Sequence, residues 1–247
     1  MSNLLDRTGE KFTTNEGYEI EIIEYFNTRN STVKIGDVIL FKKDYQWIRK
    51  GKVKNPYHIS VHGVGYIGVG RHKCSIGRKK TKAYDTWANM LERCYNKASL
   101  IKRPTYIGCS VVEEWHNFQN YAEWFEVNYR DGFYLDKDIL KKGNKIYGPY
   151  ACVFVPNEIN VLFVKRDSLR GKYPLGVCEF KGKFIAQIGT NGKRGIILGS
   201  YDTAEESFTA YKYAKEKYIK EVANKWRGKI SERTYQAMMN YKVEITD

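Results

Sequence analysis

The apolar residues change their spacing several times along this chain, and that excludes any single repeating architecture. Near the N-terminus the period is two. YEIEII (18–23) alternates polar with apolar, TVKI (32–35) and VILF (38–41) follow, and Gly36-Asp37 sits between the last two as a tight turn. Residues 10 to 55 are therefore expected to form a small barrel or curled sheet. The period then becomes 3.6. In AYDTWANMLERCYNKA (83–98), Trp87, Met90, Leu91, Cys94 and Tyr95 share one helical face, and Arg103-Pro104 ends the segment. In EEWHNFQNYAEWFEVNY (113–129), Trp115, Phe118, Tyr121, Ala122 and Phe125 do the same. Both faces read as core, and His116 among them reads as a packing or hydrogen-bonding residue. Short strand-like runs return after 150, and a last helix opens near Thr203. The fold class is α+β in several modules: a β-rich segment 1–70, a basic connector 71–82, a central segment 83–170 and a C-terminal segment 171–247.

Charge decides what such a chain meets. Lys plus Arg number 42 against 28 Asp plus Glu, a net +14, and there are 20 tyrosines. A balance this basic points to a polyanion, because Lys and Arg neutralise phosphates and release counterions. The charge is clustered. Within HGVGYIGVGRHKCSIGRKKTK (62–82), six of the last twelve residues are Lys or Arg and none is acidic. The glycines argue against a helix, so this reads as a flexible connector; the bland alternative is an ordered glycine-rich loop of the first module. Arg71, Lys73, Arg78, Lys79 and Lys80 are its candidate DNA contacts. The cysteines (Cys74, Cys94, Cys109, Cys152 and Cys178) are odd in number and form no CxxC, which points to reduced thiols in a cytosolic protein. No apolar run approaches the ~20 residues that a bilayer requires, so no membrane partner is expected.

The stretch LDKDILKKGNKIYGPYACVFVPNEIN (135–160) carries the chemistry. LDKDI is an acidic strand bearing Asp136 and Asp138, GNK (143–145) is a turn, ACVFVP (151–156) is a second strand, and Pro156 opens a helix that reaches Asn160. Further on, GVCEFKGKFIAQIG has a Lys-Gly turn between strand-like runs. Thr203 and Glu206 then form a T-x-x-E capping box, and Phe208, Tyr211, Ala214, Tyr218 and Val222 make an apolar stripe behind it.

These stretches, with GEKFTTNEGYEIEIIEY, NPYHISVHGVGYIG, TWANMLERCYN and RPTYIGCSVVEEWHNFQNYAEWF, resemble a phage-encoded family of HNH endonucleases carrying an AP2 domain, of the homing-endonuclease class. The resemblance covers nearly the whole chain. It implies double-stranded DNA as partner, the cytoplasm of a bacterial host as location, and a central ββα-metal unit. In such units a strand Asp and a helix Asn or His hold one divalent ion, and an adjacent His activates water. Carried over, Asp136 and Asn160 are the metal ligands for Mg²⁺ or Mn²⁺, and Asp138 assists. Lys137 stands where the His belongs, and Cys152 stands near the place of the residue that orients it. A lysine flanked by two aspartates stays protonated near pH 7 and is a poor general base. Residues 173–219 look like an AP2/ERF domain of three strands and a helix, with Cys178, Phe184 and Ile197 where the base-reading Arg and Trp residues stand. Lys181, Lys183, Gln187, Lys193 and Arg194 remain as phosphate or base-edge contacts. The expected function is metal-dependent nicking or cleavage of DNA. The alternative is a catalytically silent DNA-binding protein that regulates phage genes or opposes host defence, with a host protein or nucleic-acid-bound effector as a further partner.

Overall fold

The computed structural model describes residues 5–164, 171–190 and 193–245, with the side chains of Lys193 and Arg194 outside that description. The fold is α+β, built on several small sheets. Among the described residues, no helix is long and apolar enough to cross a membrane. The chain divides into two compact units: residues 1–107 with 113–123, and residues 108–112 with 124–247.

The first unit opens with a four-stranded antiparallel meander, β1 (Lys11–Thr13), β2 (Glu19–Asn27), β3 (Asn30–Ile35) and β4 (Val38–Lys43), in that spatial order. Alternation drives it: Ile20, Ile22, Val33 and Ile35 point to one face and are buried. There they meet Tyr45 and Ile48 of a short helix, α1 (Tyr45–Arg49), and Val53. Gly36-Asp37 forms the expected two-residue turn, since Ile35 pairs with Val38. No pairing of β1 with β4 occurs, so the sheet is open rather than a closed barrel.

Residues 75–80, expected as part of a flexible connector, form a hairpin of β5 (Ser75–Ile76) and β6 (Lys79–Lys80). Helix α2 (Lys82–Tyr95) follows and buries Trp87, Met90, Leu91 and Cys94, the apolar face seen in the sequence. It ends at Asn96, whose side chain caps the next helix, α3 (Lys97–Lys102), by accepting from the Ser99 N–H. Trp87 Nε1 donates to the buried Trp115 carbonyl at 2.7 Å, and the Trp87 and Phe118 rings lie 5.4 Å apart.

The second unit begins with β7 (Ser110–Val111). Helix α4 (Phe118–Asn128) straddles the division, and its C-terminal rings Trp124 and Phe125 pack on Phe154. Strand β8 (Phe133–Asp136) runs antiparallel to β10 (Val153–Pro156), pairing Asp136 with Val153. Between them β9 (Ile146–Tyr147) runs parallel to β7. A single helical turn, α5 (Asn157–Asn160), follows β10 directly, and its Ile159 is fully buried.

Then come β11 (Val177–Phe180), β12 (Lys183–Thr190) and β13 (Lys193–Tyr201), an antiparallel sheet in that order. Lys181-Gly182 makes its first turn, with positive φ at both positions. Helix α6 (Ala204–Lys225) starts at the expected capping box: Thr203 Oγ1 accepts from the Glu206 N–H, and Glu206 Oε2 accepts from the Thr203 N–H. At about 1.5 Å per residue this 22-residue helix is long enough to serve two sheets. Its first half sets Phe208 and Tyr211 against Ile188 and Val243. Its second half sets Ile219, Val222 and Ala223 against Ile139, Val153, Val155 and Ile159 of the ββ-turn segment. Helix α7 (Glu232–Met239) closes that second core with Tyr235 and Met238.

Candidate nucleic-acid interface and the acidic loop

The acidic strand ends in a loop whose side chains hold the loop itself. Asp136 Oδ1 accepts from the Asp138 and Ile139 backbone N–H groups at 2.7 and 2.8 Å, an Asx-type turn at the end of β8. Lys137 is buried, at 7 % exposure. Its ammonium donates to both Asp138 oxygens at 2.8 and 2.7 Å and to the Asn144 carbonyl at 2.7 Å. Asn144 answers by donating from Nδ2 to the Lys137 and Ile146 carbonyls, while its Oδ1 accepts from the Ile146 N–H. Residues 136–146 are thus stapled at three points.

Burial pushes the Asp136 carboxyl above its ordinary value, against the pull of its two backbone donors. Cys152 is fully buried beside this strand, and desolvation pushes its thiol up to about 12. It behaves as an inert core group rather than one that orients a base. Asn160 is half-buried at the last position of α5, and no hydrogen bond joins it to Asp136. Glu158, one turn away, is committed to Lys225 at 2.8 Å and Trp226 Nε1 at 2.7 Å. Those bonds hold its carboxyl below the ordinary range.

These residues do not fit a divalent ion. One Asp136 oxygen already serves two N–H donors, and Asp138 is neutralised by a bound ammonium. That ammonium, 2.7 Å from the carboxylate, would repel a second cation brought to the same oxygens.

The DNA-contact candidates fall in two places. In the first unit, Arg78, Lys79 and Lys80 lie exposed on the β5–β6 hairpin with Lys73 just before it. Arg71 is exposed but paired with Glu123 at 2.9 Å, and His72 Nε2 reaches the same carboxylate at 2.5 Å. Those contacts hold Glu123 below its ordinary range. Two anchors of this loop escaped the sequence reading. Glu123 is one. Gln119 is the other: its Oε1 accepts from the His72 N–H, and its Nε2 donates to the Ile67 and His72 carbonyls. Their only sequence signal was polarity on an otherwise apolar helix.

In the second unit, Lys181 occupies the turn and Lys183 is ion-paired with Asp202. Gln187 is half-buried on the sheet face turned away from α6, opposite Ile197, which is 69 % exposed. Cys178 lies on that face beside Ile185. Lys193 and Arg194 belong to β13, and their side chains lie outside the described residues. Comparison with protein-family models, curated proteins and solved structures finds no match.

Proposed function

We propose that this chain is a DNA-binding protein whose ββα segment docks on nucleic acid without hydrolysing it. The observation that carries the reading is the buried Lys137 ammonium, bonded to Asp138 and Asn144 where a metal-dependent nuclease needs its base and its ion. A cation fixed there supplies no base and disfavours a metal. The +14 charge supports duplex binding, since each neutralised phosphate releases counterions. The three-stranded sheet backed by α6 supports an AP2-like reading of the C-terminal part, and the strand–strand–turn of 133–160 supports an HNH-like ancestry for the centre. Free cysteines throughout suit the reducing cytoplasm of a bacterial host. The role that follows is occupancy of DNA, as a phage regulator or a counter-defence factor.

The test is a supercoiled plasmid incubated with Mg²⁺ or Mn²⁺ and either the natural protein or Asp136→Ala, alongside gel retention of a duplex under rising salt. Retention that falls steeply with salt, with no relaxed plasmid from either protein, is the expected result. Relaxed product from the natural protein that Asp136→Ala fails to make would overturn it.

A further inference from the structure

The hairpin at 75–80 is built unlike a surface ornament. Its strands are two residues long, and Gly77-Arg78 forms the turn with positive φ only at Gly77, the glycine-first pattern of a two-residue hairpin loop. A Cβ at Gly77 would meet nothing within 4 Å, so the tip projects into open space. At that tip stands Ile76, 74 % exposed, where a soluble hairpin would ordinarily carry a polar residue. Around it Arg78, Lys79 and Lys80 are exposed.

No acidic residue occurs between Arg71 and Tyr84, and Lys82 adds a cation at the first position of α2, where the helix dipole disfavours one. The base of the hairpin is clamped. Thr81 donates its backbone N–H to the Cys74 carbonyl at 2.9 Å and its hydroxyl to the Lys73 carbonyl at 3.0 Å, while Oγ1 caps α2 by accepting from Tyr84. The Lys80 ammonium lies 5.4 Å from the Tyr84 ring centre. A mutually repelling cation cluster, held in place before any ligand arrives, loses little entropy on binding a polyanion.

Resting on the DNA-binding reading above, we infer that this hairpin enters the minor groove of duplex DNA, with Ile76 as an apolar wedge against the base edges. Arg78 enters the groove beside it, and Lys79 and Lys80 hold the flanking phosphates. Two backbone strands about 4.8 Å apart, with no side chain at Gly77, suit a groove about 6 Å wide. Strands of two residues are too short to line the wider major groove. An apolar residue flanked by Arg and Lys is the combination that enters and opens minor-groove steps. Single-stranded binding would call for stacked aromatic rings at the tip, and the tip has none.

The test measures anisotropy of a labelled A·T-rich duplex between about 50 and 200 mM salt for the natural protein, Arg78→Ala/Lys79→Ala/Lys80→Ala and Ile76→Ala. All four side chains are exposed, so circular dichroism should be unchanged. The triple variant should lower the salt slope by about 2.7, at about 0.9 per lost phosphate contact. Ile76→Ala should keep the slope and weaken binding about tenfold, the worth of partly burying the carbons that alanine lacks. Netropsin, which fills the minor groove, should compete with the natural protein. An unchanged slope in the triple variant, indifference to netropsin, or tighter binding to single-stranded DNA or RNA would overturn the inference while leaving nucleic-acid binding standing. Failure of the natural protein to bind any duplex at low salt would remove both readings.

Discussion

Replacing Lys137 by methionine separates a structural lysine from a reactive one. The substitution keeps the unbranched stem near the Tyr147 ring, whose centre lies 5.8 Å from the ammonium, and removes only the charge and its three hydrogen bonds. Breaking a fully buried ion pair costs about 3–5 kcal/mol, because the abandoned partner stays unsolvated. Asp138, however, has a side chain 42 % exposed, and water can take over its carboxylate. The pair is therefore discounted to about 1 kcal/mol. The Asn144 carbonyl loses its donor as well, for about 1 kcal/mol more. The expected loss is about 2 kcal/mol, which at a urea slope of about 2 kcal/mol per molar moves the unfolding midpoint down by about 1 M. Circular dichroism in urea reads it, and Asp138→Asn with the double variant closes a cycle whose coupling isolates the ion pair. A midpoint within about 0.2 M of the natural protein would refute the stapled-loop argument. A nicking activity lost without loss of stability would instead make Lys137 part of a reaction.

Three further perturbations follow from the same geometry. Asp136 has its carboxyl raised above the ordinary 3.8, so the folded state binds more protons than the unfolded one just above that value, and its contribution falls as pH rises; Asp136→Asn, which keeps an Oδ1 acceptor for both N–H groups, should gain stability relative to the natural protein as pH climbs from about 4 to 7 in denaturation curves. Glu158 is lowered below the ordinary 4.5 by its bonds to Lys225 and Trp226, so its contribution is present above that value and lost as pH falls through the lowered one. Glu158→Gln should therefore cost about 1 kcal/mol at pH 7 and almost nothing at acid pH, and an equal cost at both would disprove the ion-pair account. Gly176 has φ +78°, and a Cβ there would stand 2.0 Å from the buried Tyr211 ring, so Gly176→Ala should cost at least about 2 kcal/mol; a neutral melting temperature would contradict that packing.

Local chemistry was legible in the sequence wherever neighbours settle it. Gly36-Asp37, Lys181-Gly182 and the Thr203–Glu206 box sit where their types predict, because turn and cap preferences act over four residues or fewer. The break at Asn96 was hidden, since Cys94, Tyr95 and Ala98 fit a continuous helix as well as two. Asp136 was ambiguous for a chemical reason: a carboxylate that ligates a metal and one that accepts from backbone two and three residues ahead are the same residue in the same place. The pairing of Lys137 with Asn144, seven residues on, and of Gln119 with His72, 47 residues back, depends on how the chain returns, which no spacing rule reports. The connector read as flexible from its glycines is an ordered hairpin because Thr81 ties its ends.

Helix α6 bears on how such a protein can evolve. Its first turns seal one sheet and its last turns seal another, so the two sheets share a single cover. A recombination event that exchanged the C-terminal segment for a foreign DNA-binding cassette would strip Val155 and Ile159 of their cover along with the sheet it meant to replace. The two parts are therefore bound to a common inheritance, and new target preferences have to arise by point substitution on the exposed side of the sheet.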